Sequence, residues 1–266
     1  NLIYSMGRQS RLAEGITWGR HAEAAIAYAG DYTGLDEALR RRHLSLVHNS
    51  SGDYETTLAM YDRVLTIQED VLGPEHPELA LSLTNLATVH YWKGEYLKGI
   101  GFSRRALEVQ ERALGPDHPD YALSLVGLGI AHFSMGKYAE ARDLLERARG
   151  VQERAMGPES PDLASTLNNL AAAHMELGDY TTAQPLFERA VKLKEKLLGE
   201  SHPLVASSLT SLGAVHYLKK EYESARTLHE RAMAIQAQAL GEKHPLYAFS
   251  MANLARVHLD TGDPRG

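Results

Sequence analysis

A six-residue signature closing on proline returns every 42 residues along this chain. It reads Leu72-Gly73-Pro74-Glu75-His76-Pro77, then Leu114-Gly115-Pro116-Asp117-His118-Pro119, then Met156-Gly157-Pro158-Glu159-Ser160-Pro161. Two further copies are Leu198-Gly199-Glu200-Ser201-His202-Pro203 and Leu240-Gly241-Glu242-Lys243-His244-Pro245. Five copies stand in register with no insertion. A period of this length points to supersecondary units that bury their apolar faces by stacking on one another.

Each unit reads as two helices. Glycine after a hydrophobic run suits the left-handed residue that ends a helix. Proline followed by an acid or a helix former suits the first turn of the next. A second break falls inside each unit, at Lys93-Gly94-Glu95-Tyr96, Met135-Gly136-Lys137-Tyr138 and Leu177-Gly178-Asp179-Tyr180, and a later copy carries lysine instead, as Lys219-Lys220-Glu221-Tyr222. The spacing predicts helices over about 119–135 and 138–156, with Leu123, Leu125, Leu128 and Ala131 striping the first. In the second, Ala141, Leu144, Leu145, Ala148, Val151 and Ala155 repeat at three and four. Small residues recur where helices must approach closely: Ala87, Gly129, Ala171, Gly213 and Ala255 in first helices, and Ala141, Ala183 and Ala225 in second helices. A further second-helix set is Ala106, Ala148, Ala190 and Ala232.

The pattern weakens upstream, where Gly52, Tyr54, Leu44 and His48 still match Gly94, Tyr96, Leu86 and His90. Residues 12–29 read as a preceding second helix, and 1–11 as the tail of a truncated first helix. The expectation is one helical-repeat domain over 1–266. Residues 1–33 form a degenerate repeat; units follow at 34–73, 74–115, 116–157, 158–199 and 200–241, with a partial repeat at 242–266.

Composition narrows the function class. The formal charge of −6 argues against a phosphate-backbone partner, which needs a basic stripe. With no cysteine there is no disulfide, thiol catalysis or thiolate metal site, which fits a reducing compartment, and the cytoplasm is the expected location. No stretch approaches the roughly 18 uninterrupted apolar residues of a membrane helix. The start, Asn1-Leu2-Ile3-Tyr4-Ser5, lacks the basic opening and apolar core of a signal peptide, and a first residue other than Met suggests a piece of a longer protein.

The helix pairs with small and aromatic residues at fixed places resemble the tetratricopeptide family. The long unit, the Leu-Gly-x-x-His-Pro linker and the run Leu167-Asn168-Asn169-Leu170-Ala171 are similar to its kinesin-light-chain variety. The resemblance covers nearly all the chain, most strongly from residue 44 onward. It implies an all-α fold: a right-handed superhelical solenoid of antiparallel helix pairs whose first helices line a groove. The array also resembles those appended to bacterial signalling proteins, serine/threonine kinases and large ATPase regulators among them.

On that resemblance, the deeper groove positions carry Asn85, Gly127, Asn169, Ser211 and Asn253. Asparagine both donates and accepts, so a ladder of them can hold the main chain of an extended peptide. Here the ladder has gaps at Gly127 and Ser211, and capping or solvated asparagines are the alternative. Further along lie Tyr91, Trp92, Phe133, Met175, Tyr217 and Leu218, as anchors for a partner or as packing between repeats. Groove charge is sparse beyond Arg256, Glu176 and Asp260. Kinesin light chains favour acidic peptides around a tryptophan, which calls for basic groove residues, so that specificity is not carried over.

Histidine recurs at His48, His90, His132, His174, His216 and His258, one per unit. Successive copies should then sit about 10 Å apart, too far for a shared metal ion, and a packed, hydrogen-bonded role between helices is expected. The linker histidines His76, His118, His202 and His244 are expected to fix the turn. The row Arg63, Arg105, Arg147, Arg189 and Arg231 reads either as a site for an acidic partner or, more simply, as a solvated face with salt bridges between units. No phosphate loop, His-Glu-x-x-His or Gly-x-Ser-x-Gly pattern occurs, and every candidate acid or base sits at a repeating position.

The sequence therefore predicts a protein-interaction module without catalysis, cofactor or metal, taking a protein or peptide in its groove. Two alternatives stand beside it: a regulatory or substrate-recruiting arm of a larger signalling enzyme, and a spacer or self-assembling scaffold joined through truncated repeat ends.

Overall fold

The structure is a computed structural model that describes residues 34–50 and 52–262. The expectations for residues 1–33 lie outside the described residues. Among these, eleven α-helices and no strand are present. They are α1 (Leu35–Ser50), α2 (Tyr54–Leu72), α3 (Pro77–Trp92), α4 (Tyr96–Leu114), α5 (Pro119–Ser134), α6 (Tyr138–Met156), α7 (Pro161–Glu176), α8 (Tyr180–Leu198), α9 (Pro203–Leu218), α10 (Tyr222–Leu240) and α11 (Pro245–Thr261). The helices read from the sequence at 119–135 and 138–156 are α5 and α6, within one residue. The described residues fall into two compact units that divide after Ala131, near the end of α5.

The signature residues explain each boundary. In α3, α9 and α11 the linker histidine is the N-cap, in extended backbone, with proline next. The Nδ1 atoms of His76, His118, His202 and His244 accept the backbone N–H two residues on, each at 3.2 Å, so the linker histidines do fix the turn. The second helices close on glycines such as Gly199, whose φ of 87° an L side chain resists. Within a pair the turn again needs a left-handed residue, and at Lys220 a lysine takes it, with φ 63°.

Four of the six recurrent histidines lock that same turn. His48, His90, His174 and His216 each place Nδ1 within 3.0 Å of the carboxylate five residues on: Asp53, Glu95, Asp179 and Glu221. They are packed, hydrogen-bonded residues tying the end of a first helix to the start of its partner.

In unit 1, Tyr61, Leu65, Leu79, Leu83, Leu86 and Val109 form the core between α2, α3 and α4. In unit 2, Ala171, Phe187, Val191, Val205, Leu209, Leu212, Val215 and Ile235 join α7, α8, α9 and α10. The small residues predicted for close approach are almost all fully buried, including Ala106, Ala141, Ala148, Ala171, Ala183, Ala190, Ala225 and Ala232. Ala255, on the last described helix, is exposed. Ion pairs link successive second helices on the outside: Arg105 to Glu69, Arg189 to Glu153 at 2.6 Å and Arg231 to Glu195 at 2.7 Å. These are the solvated salt bridges of the simpler reading, each worth roughly 0–1 kcal/mol.

Candidate functional site: a cleft between first helices of unit 2

Short turns make each consecutive helix pair antiparallel, so the first helices α7, α9 and α11 lie side by side in unit 2. Between them opens a cleft of about 350 Å³. Its apolar wall is Met175 from α7, Ala214 and Leu218 from α9, and Phe249 from α11. Phe249 is 60% exposed, a large aromatic ring left uncovered at the rim. Met175, Ser211, Leu218 and Asn253 occupy positions spaced by turns of their helices, which is why one face collects them.

The polar groups fall into spoken-for and free ones. The Thr210 hydroxyl pairs with Ser250 at 2.9 Å and Ser211 donates to the Ser207 carbonyl. The Tyr217 hydroxyl donates to Asp260 at 2.5 Å, and that bond, with burial, pushes the tyrosine pKa above its ordinary value. The Arg256 guanidinium lies 5.4 Å from the Tyr217 ring centroid, a cation–π contact, and no carboxylate among the described residues pairs with it. The Asn253 amide is half-buried and makes no hydrogen bond among the described residues.

His229 of α10 lines the back of the cleft. It is 1% exposed, and its Nδ1 has no hydrogen-bond partner among the described residues. Burial pushes its pKa down to about 4, so the ring is neutral at physiological pH. At the same place in the repeat stand Tyr61, Ser103, Leu145 and Phe187. A histidine in a position otherwise given mostly to core residues was visible in the sequence as a break in the period.

The structure thus brings Ser211, Tyr217, Asn253 and Arg256 together. Asn169 is half-buried on α7 and does not line the cleft. Phe133 packs edge-on against Tyr138 at 5.1 Å. The remaining predicted positions belong to unit 1. Asn85 lies beside the buried Tyr61 hydroxyl. Tyr91 turns into its own pair, with its hydroxyl 2.7 Å from Ser103 and its ring where a side chain at Gly99 would stand. Trp92 is 57% exposed, its ring 6.4 Å from that of Tyr54. Phe249, Thr210, Ala214 and His229 are cleft residues that the ladder pattern does not single out. Only the departures from the repeat, Phe249 and His229, carried a signal.

The sequence profile of the tetratricopeptide repeat matches residues 35–91, 80–154, 162–236 and 210–265. The chain belongs to the tetratricopeptide repeat family. No curated protein sequence matches it. Among solved structures it is similar to a Podosopora anserina candidate kinesin light chain with nearly identical TPR-like repeats. That likeness has 25% identity and a TM-score of 0.65, covering 75% of this chain and 95% of that one. BtubC (BKLC) from P. vanneervenii has the same fold, with 24% identity, a TM-score of 0.66, and 80% and 83% of the two chains covered. So does a Rap protein complexed with Competence and Sporulation Factor, at 16% identity and a TM-score of 0.64, over 92% and 66% of the chains. The array is therefore a tetratricopeptide array of the kinesin-light-chain kind, a repeat class that supports protein–protein interaction and is generally non-catalytic. No helix among the described residues is long and apolar enough to cross a membrane.

Proposed function

We propose that unit 2 binds a segment of a partner protein along α7, α9 and α11, with one apolar side chain of that segment seated in the cleft. The observation that supports this best is the combination at the cleft itself: an apolar wall, an uncovered Phe249, and three polar groups, Asn253, Arg256 and His229, whose hydrogen-bonding or charge capacity is unspent among the described residues. Exposed aromatics beside unpaired polar groups are what a binding surface needs and what a purely structural surface avoids. The Rap protein of the same fold, solved with Competence and Sporulation Factor, is in keeping with a binding role.

The reading is tested by a photo-crosslinking residue placed at Leu218, on the cleft, and at Lys192, on the exposed side of α8. The Leu218 position should capture a discrete partner that Phe249→Ala abolishes, while the Lys192 position captures none. Equal capture at both positions would remove the cleft from the function.

A further inference from the structure

One lysine in unit 2 is buried without a counter-ion among the described residues. Lys194 of α8 is 8% exposed, and its Nζ donates to the Ser208 hydroxyl of α9 at 2.7 Å. No described carboxylate pairs with it. At the same position in the other repeats the chain has glutamine, Gln68, Gln110, Gln152 and Gln236, all buried. Glutamine is neutral and costs far less to bury than an ammonium. The one exchange to lysine coincides with a second departure. Asn168 of α7, the one asparagine at its place, stands where the other described first helices have Arg42, Thr84, Val126, Thr210 and Ala252.

The two departures meet at Ser208, whose hydroxyl donates to the Asn168 Oδ1 at 2.9 Å. The direction of this chain follows from chemistry. An ammonium only donates, so the Ser208 oxygen accepts from it and must send its own hydrogen onward. Asn168 must therefore present its oxygen to Ser208. Its Nδ2 group, with no partner of its own among the described residues, is left as a pure donor at the surface between α7 and α9, about two helical turns before Met175 of the cleft. A buried positive charge is thus relayed to one surface amide.

We infer that Lys194, Ser208 and Asn168 form a subsite for an acidic side chain, Asp or Glu, of the partner segment. The inference rests on the reading that this face of unit 2 takes such a segment. The carboxylate accepts from the Asn168 Nδ2 and supplies the charge that Lys194 lacks. It is a positive element that the sequence did not reveal, because the cation lies under the surface and not on it.

The test uses an array of short random-sequence peptides with amidated C-termini, probed with the whole chain. The strongest binders should carry an acid, and changing that acid to its amide should weaken binding about tenfold. In Lys194→Gln, which restores the residue of the other repeats, the same change should have little effect, while the melting temperature stays level or rises. Ser208→Ala, which cuts the relay but leaves the charge, should lose part of the preference. Binders that need no acid, or an acid preference unchanged in Lys194→Gln, would overturn the subsite while leaving the cleft in place. Binding that depends on a free C-terminal carboxylate, in a parallel array without the amide, would overturn the side-chain assignment. An array with no binder at all would overturn both the subsite and the proposed function.

Discussion

A side chain on Gly213 would collide with the imidazole of His229: an added Cβ would lie 2.7 Å from Cε1 and 2.9 Å from Nε2. The glycine of α9 and the histidine of α10 are a matched pair. One repeat earlier the same two positions hold Ala171 and Phe187, both fully buried. Gly213→Ala should therefore destabilise unit 2 by about 1–3 kcal/mol through overpacking. Gly213→Ala with His229→Phe recreates the earlier pair and should recover most of that loss. A double-mutant cycle from denaturant unfolding measures the coupling.

His229 also ties stability to pH. Its folded pKa, lowered to about 4 by burial, lies below its ordinary 6.5. Between those values the unfolded chain binds the proton and the folded chain does not, so stability rises with pH across that window. The contribution is complete above about 6.5, disappears below about 4, and amounts to at most roughly 3 kcal/mol. Unfolding measured from pH 4 to 7 should show this slope in the wild type and a flatter one in His229→Phe.

Lys220 takes the left-handed backbone that Gly94, Gly136 and Gly178 take in the other repeats. A non-glycine residue there carries strain, partly offset because lysine has fewer unfolded conformations than glycine. Lys220→Gly should raise stability by about 0.5–1 kcal/mol, read as a higher melting temperature.

Asp179 caps α8 by accepting from the Thr182 N–H at 3.1 Å, beside Thr181 and His174. Hydrogen bonds from the two threonines, ahead of His174, hold its pKa down to about 2, below the ordinary 3.8. Its stabilisation is present above 3.8 and is lost as pH falls toward 2. Asp179→Ala should cost about 1 kcal/mol at neutral pH, and the gap from wild type should close in acid.

The stacking of helix pairs was legible from the sequence because it depends on residues that recur: the glycines that end helices, the prolines that start them and the alanines between them. The roles of the linker histidines and of most of the recurrent histidines and arginines were legible for the same reason. The cleft was only half legible. Ser211, Tyr217, Asn253 and Arg256 follow from helical register, but Asn169 has the same register and stands outside the cleft. Tyr91 and Tyr217 are likewise equivalent three repeats apart, yet one turns into its own pair and the other onto the cleft. The difference lies in the residue each ring meets, Gly99 for Tyr91 and Asp260 for Tyr217, and no period encodes such pairings. His229 and Lys194 matter because they break the period, so the period itself does not mark them.

Backbone amide shifts of the whole chain, recorded as a peptide selected from the array is added, bear most directly on the binding face. The account predicts saturable changes concentrated on α7, α9 and α11 around Met175, Leu218 and Phe249, which disappear in Phe249→Ala. Changes confined to the outer surfaces of α8 and α10, around Lys192 and the Arg–Glu pairs, would contradict it.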